Sequence, residues 1–212
     1  METGTQLFQV ADNIWTWERF SEAHKVELTS QAVLKNNTLF IFDPTEASDG
    51  VFGQLTSAAS QHVIVLTNEN HERACNLFAE KLNAPIFIGA HSQLHIPGAN
   101  RLPIGNASWE GWLLHPLPGA APGEIAFESV EDSLMVFGDA IINPASRGPG
   151  VLPEQYCVDH RALENELIQL VNARNFNIAL TAHGKPLTMK PVNRIRLLLR
   201  LQSDIPPQSP KN

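Results

Sequence analysis

The chain has 212 residues, with 15 basic and 22 acidic side chains, a formal net charge of −7, 43% hydrophobic residues and 17% charged ones. That length suits one domain with its own core, the hydrophobic fraction excludes a disordered chain, and the acidic balance argues against a nucleic-acid or anionic-membrane partner. No apolar run is long enough to span a bilayer, and Met1 to Asp12 lacks a basic stretch followed by an apolar one, so a cytoplasmic protein is expected.

Residues 13–18 alternate like a half-buried strand, with Ile14 and Thr16 on one face and Trp15 and Trp17 on the other. Residues 27–35 form a second strand pattern, and Asn36-Asn37 is a turn into residues 38–43. That third run is nearly all apolar, as a strand covered on both faces should be, and Asp43-Pro44 ends it. A helix is expected over residues 49–59 with Val51, Phe52 and Leu55 inward, then a strand over 62–67. Next comes a helix from about Asn70 to Leu82 with Ala74, Leu77, Phe78 and Leu82 inward, and a short strand at 85–88. This order suggests a parallel crossover.

Residues 96–123 are rich in proline and glycine around Trp112–Leu114. Strand-like runs at 124–129 and 134–137 flank the acidic turn Glu131-Asp132. A helix at 159–174 carries Leu163, Leu167, Leu170 and Val171 on one stripe, and residues 177–181 form a strand. Pro191 opens a last helix with Val192, Ile195, Leu198 and Leu199 inward. The pattern is that of one domain over residues 1–202, followed by a flexible tail at 203–212.

Dinucleotide, NTP and serine-hydrolase motifs are absent from the sequence. Cys75 and Cys157 read as small core residues, and Trp15, Trp17, Trp109 and Trp112 as packing rather than a ligand cleft. His91 and His95 have the spacing of a helical ligand pair, but Pro97-Gly98 closes the segment. His115 precedes the Pro116–Gly123 turn and could swing toward a site there; the strand at Trp112–Leu114 is its more natural place.

Four segments in order carry a resemblance: Asn68-Glu-Asn-His-Glu-Arg73 after a strand, Pro116-Leu-Pro-Gly-Ala-Ala-Pro-Gly123, Val136-Phe-Gly-Asp139 and Leu180-Thr-Ala-His-Gly184. The series resembles the metallo-β-lactamase fold family over roughly residues 7–202. The resemblance implies an αββα sandwich, two mixed sheets flanked by helices, with a zinc or iron site where strand-end loops meet.

Carried over position by position, the family's first two histidines fall on Asn68 and Asn70, its aspartate on Glu72 and the next histidine on Arg73. The histidine of the later turn falls on Ala120. Only Asp139 and His183 match the pattern. A neutral amide is a poor zinc donor beside imidazole, alanine offers no donor, and a guanidinium keeps its charge at working pH. His71 is expected to point away from the position of Asn70 and not to serve as a ligand, because neighbours near a helix start diverge by about 100°. Asn68, Asn70, Glu72 and Arg73 then become candidate ligand-binding residues, with Asn68 and Asn70 also natural helix caps. Arg73 would pair with Asp139, Glu72 or both, replacing a metal's charge.

Three functions follow. The favoured expectation is a scaffold without a metal cofactor that binds a small molecule or protein. The second is a hydrolase with one metal on Glu72, Asp139 and His183, and the third a metal-free enzyme using Asp139 and His183 as acid and base.

Overall fold

The computed structural model describes residues 6–203; the tail expected at 203–212 lies almost wholly outside them. β1 (Phe8–Ala11), β2 (Ile14–Ser21), β3 (Val26–Lys35) and β4 (Thr38–Phe42) pair antiparallel in succession. Asn36 and Asn37 turn β3 into β4 with φ of 49° and 63°, left-handed values that match the twist of a tight hairpin. α1 (Asp49–Ala58) then leads to β5 (Gln61–Val65), and α2 (Cys75–Leu82) to β6 (Ile86–Ile88). Both crossovers are parallel, and β7 (Asn100–Arg101) completes a seven-stranded sheet in chain order.

The second half builds the facing sheet. β8 (Ser108–Trp109), β9 (Trp112–Pro116), β10 (Ile125–Ser129) and β11 (Leu134–Val136) form an antiparallel run. A small hairpin follows, β12 (Ile141–Ile142) with β13 (Gly150–Val151), then α3 (His160–Ala173). β14 (Ile178–Leu180) joins beside β11 in parallel, and α4 (Pro191–Ser203) closes the fold. No helix among the described residues is long and apolar enough to cross a membrane.

Alternation along the strands explains the four layers. In β4, Leu39 and Ile41 face α1 and α2, while Phe40 and Phe42 enter the seam between the sheets with Val65, Trp112 and Phe127. In β11, Leu134 and Val136 enter that seam, and Met135 faces α3 and α4 with Leu163, Leu167 and Ile195. The all-apolar runs read in the sequence are therefore strands sandwiched on both faces. Trp17 stacks on Phe78 at 5.6 Å and Trp112 meets Phe42 edge-on at 5.2 Å, so both are core residues.

One element departs from expectation. The helix expected from Asn70 begins only at Cys75, after a 3₁₀ turn at Glu69–His71. Arg73 has φ 39°, a left-handed value no helix interior accepts, so the chain breaks there and restarts. The restart turns Leu77 outward, where it is 39% exposed, and leaves Cys75, Phe78 and Leu82 inside. Phe78→Ala should accordingly cost about 3–5 kcal/mol of unfolding free energy, and Leu77→Ser within about 0.5 kcal/mol, in urea titrations.

Candidate metal centre

Parallel strands end side by side, and their carboxyl ends supply the site. Asp43 follows β4 and Thr67 follows β5; the Thr67 N–H and Oγ1 donate to the Asp43 carboxylate at 2.8 and 2.6 Å. Asn68 then caps the 3₁₀ turn, its Oδ1 accepting the Asn70 N–H at 2.9 Å. In a 3₁₀ turn side chains three apart share a face, so His71 returns to the side of Asn68. His71 does diverge from Asn70, as neighbours in such a turn must, but the inward side is that of Asn68, three residues earlier, so His71 faces the site after all.

His71 is buried between two carboxylates. Its Nδ1 lies 3.0 Å from both Asp43 Oδ2 and Thr67 Oγ1, and its Nε2 lies 3.2 Å from Asp139 Oδ1. His183, at the end of the β14 segment, places Nε2 3.0 Å from the same Asp139 Oδ1 and Nδ1 3.0 Å from the Glu27 carbonyl oxygen. A carbonyl only accepts, so Nδ1 of His183 carries its proton and Nε2 faces Asp139. The Asp43 and Thr67 oxygens assign the same tautomer to neutral His71.

Gly138 and Gly184 make the approach possible. A Cβ at Gly138 would run into Thr67 Oγ1 and Glu124 Oε1, and one at Gly184 (φ 84°) into the Asn143 backbone.

The charges are tightly interlocked. Burial and the Arg73 charge oppose protonation of His71, but Asp139 and Asp43 on its two sides outweigh them and raise it to about 9. Burial likewise disfavours ionised Asp139 and Asp43, yet His71 in particular holds both below their ordinary values. Glu124 is pushed up to about 8, by burial and then by the Asp139 charge.

Arg73 corrects another expectation. It donates to the carbonyl oxygens of Thr29 at 3.2 Å, Asp43 at 3.1 Å and Ala182 at 3.4 Å, rather than to a carboxylate of Asp139 or Glu72. Its left-handed backbone turns the side chain under the strand ends, from where its charge still acts on Asp43 and Asp139. Glu72 is exposed and takes only a 3.4 Å hydrogen bond from Asn76, so it does not join Asp139 and His183.

His91 and His95 are exposed and outside any helix. His115 is paired with Glu128 at 2.8 Å and borders a separate cavity with Arg174 and Glu166.

His71, Asp139 and His183 together present three ligand atoms, all within 4.8 Å of one another. Two imidazoles and one carboxylate suit zinc or iron, and three protein ligands leave a position open. The fit has a further mark. Asp139 Oδ1 is buried without a hydrogen-bond partner, because both Nε2 atoms approach it closely but neither is aligned as a donor onto it. A buried carboxylate oxygen in that state suits a cation. The cluster opens into a cavity of about 650 Å³ also lined by Asn70, Arg73, Val26, Ile142, Arg147 and Tyr156.

The sequence matches the family described as the metallo-beta-lactamase superfamily over residues 9–199, and the chain belongs to that superfamily. Solved structures agree on the fold. The DIM-1 metallo-β-lactamase superposes with a TM-score of 0.73 at 12% identity, covering 93% of this chain and 97% of that one. FIM-1 from Pseudomonas aeruginosa, in a mono-zinc form, gives 0.69 at 14% identity over 94% and 96%. A metallo-β-lactamase from Hirschia baltica gives 0.68 at 11% over 93% and 98%. No curated protein matches the chain in sequence.

The three-carbonyl seat of Arg73 predicts that Arg73→Met destabilises the fold by about 1.5–3 kcal/mol, the scale of hydrogen bonds to a charged group. Arg73→Lys should restore less than half of it in urea titrations, since an ammonium cannot reproduce the planar fork.

Proposed function

We propose that the protein binds one divalent transition metal, zinc or iron, through His71, Asp139 and His183, and uses it to hydrolyse a small molecule held in the 650 Å³ cavity. The convergence of His71, Asp139 and His183 on one point, with Asp139 Oδ1 buried between two imidazole Nε2 atoms and well aligned with neither, carries this reading. His71 replaces Glu72 in the ligand set expected from the sequence.

The chemistry such an ion brings is Lewis-acid polarisation of an ester, amide or phosphoryl oxygen at neutral pH. The chain supplies the rest. Asp43 and the Glu27 carbonyl hold the Nδ1 protons of the two histidines, so that both Nε2 atoms face the same point; a metal there would displace the Nε2 proton of His71 to solvent. Arg73 places a fixed positive charge beside the cluster, in the wall of the cavity. Val26, Leu28, Ile142 and Leu152 give that cavity apolar walls that displace water from a bound substrate.

A second reading keeps the scaffold without metal. The charges around the cluster favour it: with His71 raised to about 9, an imidazolium there and the Arg73 guanidinium together balance Asp43 and Asp139 with no added cation.

Metal analysis separates the two. Chelator-stripped protein titrated with zinc should take up one equivalent, and His71→Ala, Asp139→Ala and His183→Ala should each abolish it while Glu72→Ala does not. Free zinc at 100 times its Kd should add about 2.7 kcal/mol of stability. No uptake by the parent chain would leave the scaffold reading.

A further inference from the structure

Asn68 stands where the resembled family places a metal-binding histidine, yet it is among the most tightly engaged side chains in the molecule. Its Oδ1 accepts the Asn70 N–H, and its Nδ2 donates to Glu124 Oε2 at 2.7 Å and to Asp139 Oδ2 at 3.1 Å. Both amide hydrogens are thereby spent on two carboxyl groups, in a residue 2% exposed.

Glu124, equally buried, completes a loop. Its Oε1 accepts the N–H of Ala140, the residue after Asp139, at 3.0 Å. It packs over Gly138 so closely that a Cβ there would strike it. Glu124 therefore grips Asp139 twice: by the backbone on its C-terminal side, and through Asn68 by its side chain.

The two oxygens of Asp139 are treated in opposite ways. Oδ2 is tied by the Asn68 amide, while Oδ1 is left without a hydrogen bond between the imidazoles. A carboxylate so held presents one oxygen to a cation, and turning to present both would strain the hydrogen bond from Asn68.

We propose that Asn68 and Glu124 are positioning residues that lock Asp139 into one-oxygen coordination and so set the metal affinity of the His71–Asp139–His183 centre. The inference rests on the single-metal reading above. It gives two buried polar residues a task toward the metal without making either a ligand.

Cobalt(II) titration of chelator-stripped protein tests it, read by visible absorption and by the melting temperature of the metal-free chain. Asn68→Leu should weaken cobalt binding by about 10–100-fold, the range for lost outer-shell partners, and alter the absorption envelope as Asp139 gains freedom to offer both oxygens. Glu124→Gln sets an NH₂ donor against the N–H of either Asn68 or Ala140. It should shift affinity in the same direction, and it carries the test if Asn68→Leu fails to fold. Variants that melt lower but bind cobalt within about twofold of the parent, with its spectrum, would make the pair purely structural and overturn the proposal. If the parent chain binds no cobalt, or His183→Ala binds it as well as the parent does, the single-metal reading falls and this inference with it.

Discussion

The site depends on one divided carboxylate. Asp139 sits just past β11, at the seam of two sheets, where little solvent reaches it and any unbalanced charge is costly. One oxygen is held by Asn68; the other faces two imidazole nitrogens. Around that atom the fold gathers two more acids and a guanidinium. Each of these would be expensive to bury charged and alone; His71 and Arg73 offset Asp43 and Asp139, while burial and the Asp139 charge keep the proton on Glu124 at neutral pH.

Parallel crossovers create the conditions for this. β4 and β5 end side by side, so Asp43 and Thr67 arrive as neighbours from distant points in sequence, and the turn after β5 brings His71 in behind them. The hairpin of β12 and β13 then fastens the opposite rim. The Asn143 N–H donates to the His183 carbonyl at 2.7 Å, and the Asn143 side chain to the Lys185 carbonyl at 2.7 Å, so the strand end bearing His183 moves with that hairpin.

Arg73 shows how a local backbone irregularity becomes electrostatics. Its left-handed conformation ends the 3₁₀ turn, delays α2 until Cys75 and swings the guanidinium under three carbonyl oxygens. The charge arrives near Asp43 and Asp139 without a direct ion pair, leaving Asp139 Oδ1 open rather than capped by an arginine. A guanidinium bound to Asp139 would have made a closed structural pair of the same residues.

The sequence by itself determined the layered fold, because strand alternation and helical stripes are periodic and local. Leu39 and Ile41 against Phe40 and Phe42, and the stripe of Leu163, Leu167, Leu170 and Val171, are read directly from spacing. The sequence's short strand-end motifs also singled out Asp139 and His183 through the family resemblance, and the fold brings the two side by side. Only the tertiary structure decided that His71 faces inward, that Glu72 faces out, and that Asp43 and Glu124 belong to the site. The reason is physical: where the turn starts and stops, at the Asn68 cap and the left-handed Arg73, sets which of its side chains face inward, and residue types alone do not fix that backbone path. Asp43 and Glu124 acquire their roles from partners 24 and 56 residues away, at Thr67 and Asn68 respectively, a distance over which no local pattern carries information.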